Sequence, residues 1–353
     1  WVSTIWKRPP NRFRVEYLRE LWESLEKCSA IHSGNQAVVI ERLRELAELL
    51  IWGDQHDGAF FEFFLEHNIF DYIVRLFCNA SVSPEVRVQL LQTLSILVEN
   101  TSRDLSLYYM FSNDKINELI TFPMFVPDDP HEELRAYYIS FLKTLSLKLT
   151  PSTLQFFFNT QTLDFPLFTE AVRYFDSPDP MVRVSVRSLV LNIYRVDDEQ
   201  MLAHVHHTAS PPFFRALAAA ISAKIRSLDA MVADLGAPQP PRKPYSEVEA
   251  LLEELVDLFY FINDVCELRR LPLRAHLADC LLRDPLALLH ESVVPPQDAP
   301  RRIPTASTSS SLSSSTSSYA SGSLPLQQQP LSPSVPLAAA AAASLAESVD
   351  SAA

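Results

Sequence analysis

The chain has 353 residues, of which 47% are hydrophobic, and its formal net charge at pH 7 is -13. This apolar content is enough for a sizeable core. The acidic balance argues against nucleic acid or a strongly anionic membrane as a partner of the whole chain, because both bind a basic face. The chain contains only five glycines, fewer than the hairpins and bulges of a β-rich protein this long would use. Because no stretch alternates apolar and polar residues, an all-α fold is predicted.

The amino-terminal region holds the chain's basic cluster. Lys7, Arg8, Arg12 and Arg14 lie within "WKRPPNRFR", which we interpret as a solvated lead-in. The next residues, up to Cys28, place their apolar side chains on one helical stripe. Residues 1–35 are therefore predicted to form an amino-terminal capping helix.

A helical pattern then returns at a fixed interval of 48 residues, which is the signature of a repeat protein. The four anchors of the pattern are Val38-Val39, Val86-Arg87, Leu134-Arg135 and Val182-Arg183. Pro84 and Pro178 lie just before the predicted helices, where a missing N–H costs nothing. Each copy is thus predicted to begin a helix at its anchor, and the first copy, from Gln36 to Trp52, is predicted to end at Gly53, which can adopt a left-handed cap.

Aligning the four copies predicts the columns that form the core. These columns are Ile40, Val88, Ala136 and Val184; Leu43, Leu91, Ile139 and, as an exception, Arg187; Leu46, Leu94, Leu142 and Val190; and Leu49, Leu97, Leu145 and Ile193. A single amphipathic helix cannot bury such a stripe, so successive copies are expected to stack into one continuous core. The predicted fold is an armadillo/HEAT-like α-solenoid.

The second residue of the anchor pair is an arginine in three copies, at Arg87, Arg135 and Arg183. A ladder of arginines that binds phosphates would need many more Lys and Arg residues around it. We therefore interpret these arginines as structural, each bracing a neighbouring turn.

Composition divides the rest of the chain. Residues 36–196 are predicted to form the repeat domain and residues 197–290 a helical extension, which "APQPPRKP" interrupts as a polyproline-like linker. Residues 291–353 are rich in Ser, Pro and Ala. They cannot bury enough apolar surface to fold and are predicted to be a disordered tail.

Two clusters have side chains that could bind a metal: Asp54, His56 and Asp57, and His204, His206 and His207. Asp residues commonly cap helices at such junctions, and the histidines have no evident fourth ligand or supporting carboxylates. We favour a helix junction for the first cluster and a partly exposed helix end for the second. No metal and no cofactor is predicted.

No phosphate-binding loop, nucleophile elbow or kinase signature is present. Cys28, Cys78, Cys266 and Cys280 are far apart, without a Cys-x-x-Cys pair, and are interpreted as reduced, buried thiols. No apolar run is long enough to span a membrane, and no secretory leader is expected. These observations predict a non-catalytic helical scaffold that binds other proteins.

Large aromatic side chains at a surface mark interfaces. Tyr137 and Tyr138 are adjacent on one helix, so one of the two is expected at the surface. The candidate protein-binding surface consists of Trp52, Asp54, Gln55, Asp57, Tyr108, Tyr109, Tyr137 and Tyr138.

Several phrases resemble a known family. "LLIWGDQHD", "FFEFFLEHNIF", "VQLLQTLSILVENTS", "SLYYMFSN" and "AYYISFLKTLSLKL" are similar to the FPL domain of the C-type lectin domain family 16 member A group, which includes the Ema-like proteins. The likeness runs from about Leu18 to Val196 and is weaker from Asp197 to His290. No lectin-like disulfide or sugar-binding signature accompanies it.

The resemblance implies a role in endosomal and lysosomal membrane trafficking, autophagy and mitophagy. The implied partners are proteins of the endosomal tethering, small-GTPase or ubiquitin-ligase machinery, with no nucleic acid. The implied location is cytoplasmic, peripheral on endosomes, lysosomes or the Golgi through such partners. The alternatives are direct participation in ubiquitin transfer through a cysteine, a generic armadillo-type adaptor, and a lipid-binding scaffold, for which the charge leaves little room.

Overall fold

The computed structural model describes residues 12–28, 31–32, 34–112, 115–122, 131–235, 245–268 and 270–293. These residues contain fifteen α-helices and, apart from one bridge between Asn159 and Asp164, no β-pairing. The helices are α1 (Val15–Glu26), α2 (Gln36–His56), α3 (Gly58–Glu66), α4 (Ile69–Cys78), α5 (Pro84–Asn100), α6 (Asp104–Ser112), α7 (Lys115–Ile120), α8 (Glu132–Leu147), α9 (Pro166–Val172), α10 (Pro180–Arg195), α11 (Glu199–His204), α12 (Ser210–Leu235), α13 (Tyr245–Glu267), α14 (Leu271–Arg283) and α15 (Pro285–Val293).

The four repeat copies are the helices α2, α5, α8 and α10, whose first residues, 36, 84, 132 and 180, advance by 48 each time. Consecutive copies pack on each other: α2 on α5, α5 on α8 and α8 on α10. This order of packing is that of a solenoid, in which each repeat contacts its neighbours. The predicted armadillo/HEAT-like α-solenoid is confirmed, and we call these four helices the ladder.

Shorter helices form a second layer behind the ladder. The helix α4 packs on α7, and α7 packs on α9, while α2 contacts α3 and α9 contacts both α8 and α10. Each repeat therefore combines one long helix with one or two short ones. Asn68, in the left-handed conformation at φ 47°, makes the turn between α3 and α4, which is a conformation that asparagine tolerates better than most residues.

The core contains three of the four predicted columns. The columns that begin at Leu43, Leu46 and Leu49 are buried in all four copies. Even Arg187, the exception in the first of these, is buried. Because the columns are spaced by three residues, they follow one side of each helix.

The fourth column, which begins at Ile40, was wrongly assigned to the core at three of its four positions, and only Val88 is buried. Val184 is exposed, and Ile40 and Ala136 are only half-buried. Buried residues such as Val182 lie two positions earlier. Two residues correspond to about 200° around a helix, so the column points away from the buried side.

The helix α2 continues past the glycine that was expected to end it. Gly53 has no positive φ and lies inside α2, which ends at His56. A Cβ at this position would lie 2.2 Å from the Cβ of Phe60. The missing side chain thus permits close contact between α2 and α3, rather than a left-handed cap.

Beyond the ladder, α11 runs through a π-helical turn at Val205–Ala209 directly into α12. The helix α13 packs on α12 and on α10, and α14 packs on both α12 and α13. The predicted helical extension therefore lies against the last helix of the ladder.

Two predicted regions lie wholly or largely outside the described residues. The linker "APQPPRKP" falls within residues 236–244, and the predicted tail, residues 291–353, is described only at residues 291–293, which are helical and belong to α15. Residues up to Leu288 form one compact unit, and a second unit begins at Leu289.

Candidate protein-binding groove

A groove of about 450 Å³ lies between the first two helices of the ladder. The helix α2 lines it with Ile51, Trp52 and Gln55, and α5 lines it with Gln89 and Ile96. Ile96 remains 43% exposed. The groove therefore offers an apolar surface, bordered by amides, that a partner's side chain can cover.

Trp52 is the central aromatic side chain of the groove. Its ring stacks on Phe13 at 5.0 Å and on His56 at 4.7 Å, and meets the edge of Phe60 at 5.4 Å. The ring is half-buried. Of the predicted surface residues, Trp52 and Gln55 are thus brought together in this groove.

Polar contacts join the two walls and the amino-terminal lead-in. The Nε of Arg44 donates a hydrogen bond to Oε1 of Gln89 over 2.9 Å, linking α2 to α5. Arg12 forms an ion pair with Glu48 of α2. These contacts hold the border of the groove and bring the start of the described chain to it.

Asp54 was predicted to lie on the binding surface, but it is buried, with 4% of its area exposed. Its carboxylate accepts hydrogen bonds from the backbone N–H of Ser102 at 3.0 Å, from the Ser102 hydroxyl at 3.1 Å and from the Ser106 hydroxyl at 2.9 Å. The predicted role is therefore wrong. Asp54 anchors the start of α6 to the end of α2.

Asp57, in contrast, is exposed and caps a helix. Its side chain accepts a hydrogen bond from the backbone N–H of Ala59 over 3.0 Å at the start of α3. Such a cap satisfies one of the free N–H groups of the first turn. The helix-junction interpretation of this cluster holds for Asp57.

The predicted tyrosines are dispersed. Tyr138 is fully buried and donates a hydrogen bond to the Ile120 carbonyl at 2.6 Å, so its assignment to the surface is wrong. Its neighbour Tyr137 is half-buried on α8 and is the more exposed residue of the pair. On α6, Tyr109 meets Phe64 edge-on at 6.0 Å and Tyr108 lies 5.9 Å from the ring of Phe156.

Two of the repeat arginines, Arg87 and Arg183, contact the chain segment just before their ladder helix. Arg87 is buried and donates to the carbonyls of Phe77 at 3.1 Å and Asn79 at 2.8 Å. Arg183 donates to the carbonyls of Ser177 and Pro178 at 2.8 and 3.0 Å. Arg135 is likewise buried. Arg87 and Arg183 therefore each tie the segment before their helix to its first turns through these hydrogen bonds.

Charged side chains that the sequence did not single out join the extension to the ladder. Glu254 of α13 pairs with Lys224 of α12 at 2.6 Å and with Arg183 of α10 at 3.1 Å. The hydrogen bond from Lys224 lowers the pKa of Glu254, and the nearby arginines act in the same direction. Burial lowers the pKa of Arg187, which lies near Arg183 and Glu254. Because these partners lie far apart in sequence, no local pattern indicates them.

The histidine cluster lies at the π-helical turn. Burial lowers the pKa of His204 and His206, which favours their neutral forms. Across the described part of the chain, no three His, Cys, Asp or Glu side chains are grouped closely enough to hold a metal ion.

The cysteines are free thiols. Cys280 is buried, whereas Cys28, Cys78 and Cys266 are only half-buried, so the expectation of buried thiols is correct for one of the four. Burial raises the pKa of Cys78, Cys266 and Cys280. A raised pKa reduces the thiolate fraction at neutral pH and with it the nucleophilicity of these residues.

Within the described ranges, no helix combines the length and the apolar character needed to cross a bilayer.

Comparison with known proteins shows a family match and several relatives of this chain. The FPL family, described as an uncharacterised conserved protein, matches residues 43–194. The chain is 39% identical over 302 residues to the CLEC16A homolog of Drosophila melanogaster, covering 84% of this chain and 28% of the relative. It is 38% identical over 281 residues to human CLEC16A, covering 78% of this chain and 26% of the relative.

A plant relative, the protein TRANSPARENT TESTA 9 of Arabidopsis thaliana, is 37% identical over 271 residues, covering 75% of this chain and 31% of the relative. The chain thus spans about a quarter to a third of the length of these relatives. A designed armadillo repeat protein aligns with a TM-score of 0.43 and 14% identity, over 74% of this chain and 99% of that one.

The FPL match covers the ladder from Leu43 in α2 to Tyr194 in α10, and the similarity to CLEC16A proteins extends over most of the chain. The chain therefore belongs to the FPL-domain family and is a relative of the CLEC16A proteins.

Proposed function

We propose that this protein is a non-catalytic scaffold of endosomal and lysosomal membrane trafficking and autophagy that binds protein partners on the outer surface of its ladder. The observation that carries the proposal is the groove between α2 and α5. There, half-buried Trp52 and exposed Ile96 contribute apolar side chains to the groove lining. Buried aromatic anchors in such grooves supply much of the affinity of protein interfaces.

The proposed role in membrane trafficking rests on the family resemblance. The resemblance to the FPL-domain group implies partners from the endosomal tethering, small-GTPase or ubiquitin-ligase machinery. It also implies a peripheral location on endosomes, lysosomes or the Golgi. The net charge of -13 favours protein partners over a direct contact with anionic lipid, because the latter requires a basic face.

Affinity capture with the full chain as bait tests the proposal. Ile96→Glu places a charge in the groove at an exposed position, and Val184→Glu is its matched control, since Val184 is 46% exposed on another ladder helix. We expect the unmodified chain and Val184→Glu to recover endosomal tethering, small-GTPase or ubiquitin-ligase components. Recovery by Ile96→Glu should fall about tenfold, which corresponds to about 1.4 kcal/mol of binding free energy.

Equal recovery by all three baits would show that the groove is not the binding surface. Recovery of none of these components by the unmodified chain would contradict the trafficking role itself.

Direct ubiquitin transfer is the alternative function, and it would require a reactive cysteine. The raised pKa values of Cys78, Cys266 and Cys280 weigh against those three thiols as nucleophiles. Replacing all four cysteines with serine in a reconstituted ubiquitination assay addresses the alternative directly. The scaffold proposal expects unchanged ubiquitin chains, and their loss would favour the enzymatic alternative.

A further inference from the structure

The helix α13 carries a row of exposed apolar side chains. Leu252, Val256 and Tyr260 follow one another at intervals of four residues, and 43%, 39% and 64% of their areas are exposed. Residues four apart lie on the same side of a helix, one turn after the other. With a rise of about 1.5 Å per residue, the row is about 12 Å long. These three side chains therefore form one continuous line, which we call the α13 stripe.

The α13 stripe faces away from the ladder. Glu254 pairs with Arg183 of α10 and with Lys224 of α12, which places this residue on the ladder side of α13. Val256 lies two residues later, about 200° further around the helix. The outer elements of a repeat stack ordinarily present a polar face to water. An apolar line at this position therefore indicates a surface that a further element covers.

Acidic side chains border the stripe. With about 100° of rotation per residue, five exposed carboxylates lie within about 100° of Val256 around the axis: Glu249, Glu253, Asp257, Asp264 and Glu267. The sequence of α13 contains no Lys, Arg or His. The described basic side chains that pair with this helix, such as those of Arg183 and Lys224, lie on its ladder side. The stripe is thus an apolar line inside a negatively charged border.

This charge selects the kind of partner. In a symmetric pair of copies, the same surface meets itself, so the acidic borders would be brought together at a considerable cost in free energy. An anionic membrane would be repelled for the same reason. A partner with Lys or Arg beside its apolar side chains complements both features of the stripe.

The backbone of the partner is expected to be helical. The N–H and C=O groups of α13 are used within the helix, so an extended peptide laid on the stripe would leave its own backbone groups without partners there. A helix satisfies these groups internally and presents apolar side chains at matching intervals of one turn. The acidic border from Glu249 to Glu267 is about 27 Å long, the length of a helix of about 18 residues.

We propose that the α13 stripe is a docking site for a basic amphipathic helix of another protein. The apolar side of that helix packs on Leu252, Val256 and Tyr260, and its Lys or Arg side chains lie against the acidic border. This surface belongs to the extension and is separate from the groove between α2 and α5. The inference therefore does not depend on the proposed function.

Fluorescence anisotropy with the full chain tests this docking site. The probe is a labelled amphipathic peptide of about 18 residues, with leucine on one side and lysine on the other. A second peptide carries glutamate in place of each lysine. We expect the lysine peptide to bind with a dissociation constant in the micromolar range, and the glutamate peptide to bind at least about tenfold more weakly.

Matched variants locate the binding. Val256→Ser and Tyr260→Ala should each weaken binding of the lysine peptide about tenfold, because they shorten the apolar line. Val38→Ser is the control, since Val38 is a comparably exposed valine on α2. Glu253→Lys should weaken binding by a similar factor, and Glu62→Lys, at an exposed position on α3, should have a much smaller effect. Because all these side chains are exposed, the variants should keep the Tm of the unmodified chain.

Equal binding of the two peptides, or no binding of either, would overturn the proposal. Binding of the lysine peptide that is indifferent to Val256→Ser, Tyr260→Ala and Glu253→Lys would do the same, because it would reflect only the acidic charge of the whole chain. Sedimentation of the unmodified chain as a dimer that Val256→Ser dissociates would assign the stripe to a second copy. Cosedimentation with phosphatidylserine vesicles that Val256→Ser abolishes would assign it to a membrane.

Discussion

Individual buried polar residues connect one repeat to the next. The carboxylate of Asp54 accepts three hydrogen bonds from Ser102 and Ser106, and Ser102 lies one interval of 48 residues along the chain. Buried carboxylates are tolerated only when their oxygens are satisfied in this way. Asp54 thus contributes to the continuity of the solenoid and not to its outer surface.

Replacing Asp54 with alanine should therefore destabilise the fold. The change leaves the Ser102 N–H and two hydroxyls without their acceptor, and an unsatisfied buried group costs about 1–3 kcal/mol. We expect the free energy of unfolding, measured by urea denaturation, to fall by about 2–3 kcal/mol. The adjacent exposed Gln55 is the control, because Gln55→Ala should change stability by less than about 0.5 kcal/mol. Equal effects of the two substitutions would contradict the structural role of Asp54.

The sequence indicated which side chains are aromatic or charged, but not which of them are buried. Trp52 and Gln55 reach the groove, whereas Tyr138 and Asp54 lie in the core. Tyr138 is buried where α8 packs against the short helices behind it, and its hydroxyl donates a hydrogen bond to the Ile120 carbonyl there. That partner lies 18 residues away and has no local signature.

At the scale of elements, close contact between helices depends on one missing side chain. Gly53 lies inside α2, where alanine would ordinarily be favoured by about 1 kcal/mol. A Cβ there would lie 2.2 Å from the Cβ and 2.4 Å from the Cγ of Phe60. The separation of α2 and α3 is therefore set by the absence of this atom.

Gly53→Ala should thus destabilise the protein by about 1–3 kcal/mol, since overpacking outweighs the gain in helix propensity. Gly58 offers a matched control at the start of α3, because a Cβ there meets only the Arg103 guanidinium, at 3.5 Å. Thermal unfolding followed by circular dichroism should show a lower Tm for Gly53→Ala and little change for Gly58→Ala. A stabilised Gly53→Ala variant would show that α2 and α3 are not in this contact.

The junction between the ladder and the extension should depend on pH. The Lys224 hydrogen bond lowers the pKa of Glu254 from its ordinary value of 4.5. The carboxylate's contribution to stability is then complete above that value and is lost as pH falls through the lower folded-state pKa. Because a third of the Glu254 side chain is exposed, we expect this contribution to be about 1 kcal/mol.

Glu254→Gln should therefore lower the free energy of unfolding by about 1 kcal/mol at pH 7, and the difference from the unmodified chain should shrink towards pH 3. Urea denaturation at a series of pH values measures both effects. The neighbouring exposed Glu253 is the control, and Glu253→Gln should show no comparable loss. A deficit for Glu254→Gln that persists unchanged at pH 3 would show that the ion pair is not its cause.

At the scale of the whole molecule, the interval of 48 residues predicted the ladder and its order. It did so because each stripe needs a neighbour to bury it. The same alignment placed the column that begins at Ile40 in the core, although three of its four residues point away from the buried side of their helices. The helix α2 was expected to end at Gly53, but the missing side chain there allows close contact with Phe60 instead. The groove depends on residues from two copies and from the lead-in, and such a combination has no signal in any single segment.

The central claim is that four helices stack in sequence order, and distances between spin labels test it most directly. Labels carried on p-acetylphenylalanine replace Ala37, Glu85, Glu133 and Met181, the exposed second residues of the ladder helices. With about 8–10 Å between packed helices, pairs 37–133 and 85–181 should be about equal, near 16–20 Å. Pair 37–181 should be about 24–30 Å. A distance for 37–181 no longer than the two shorter ones would contradict a ladder in sequence order.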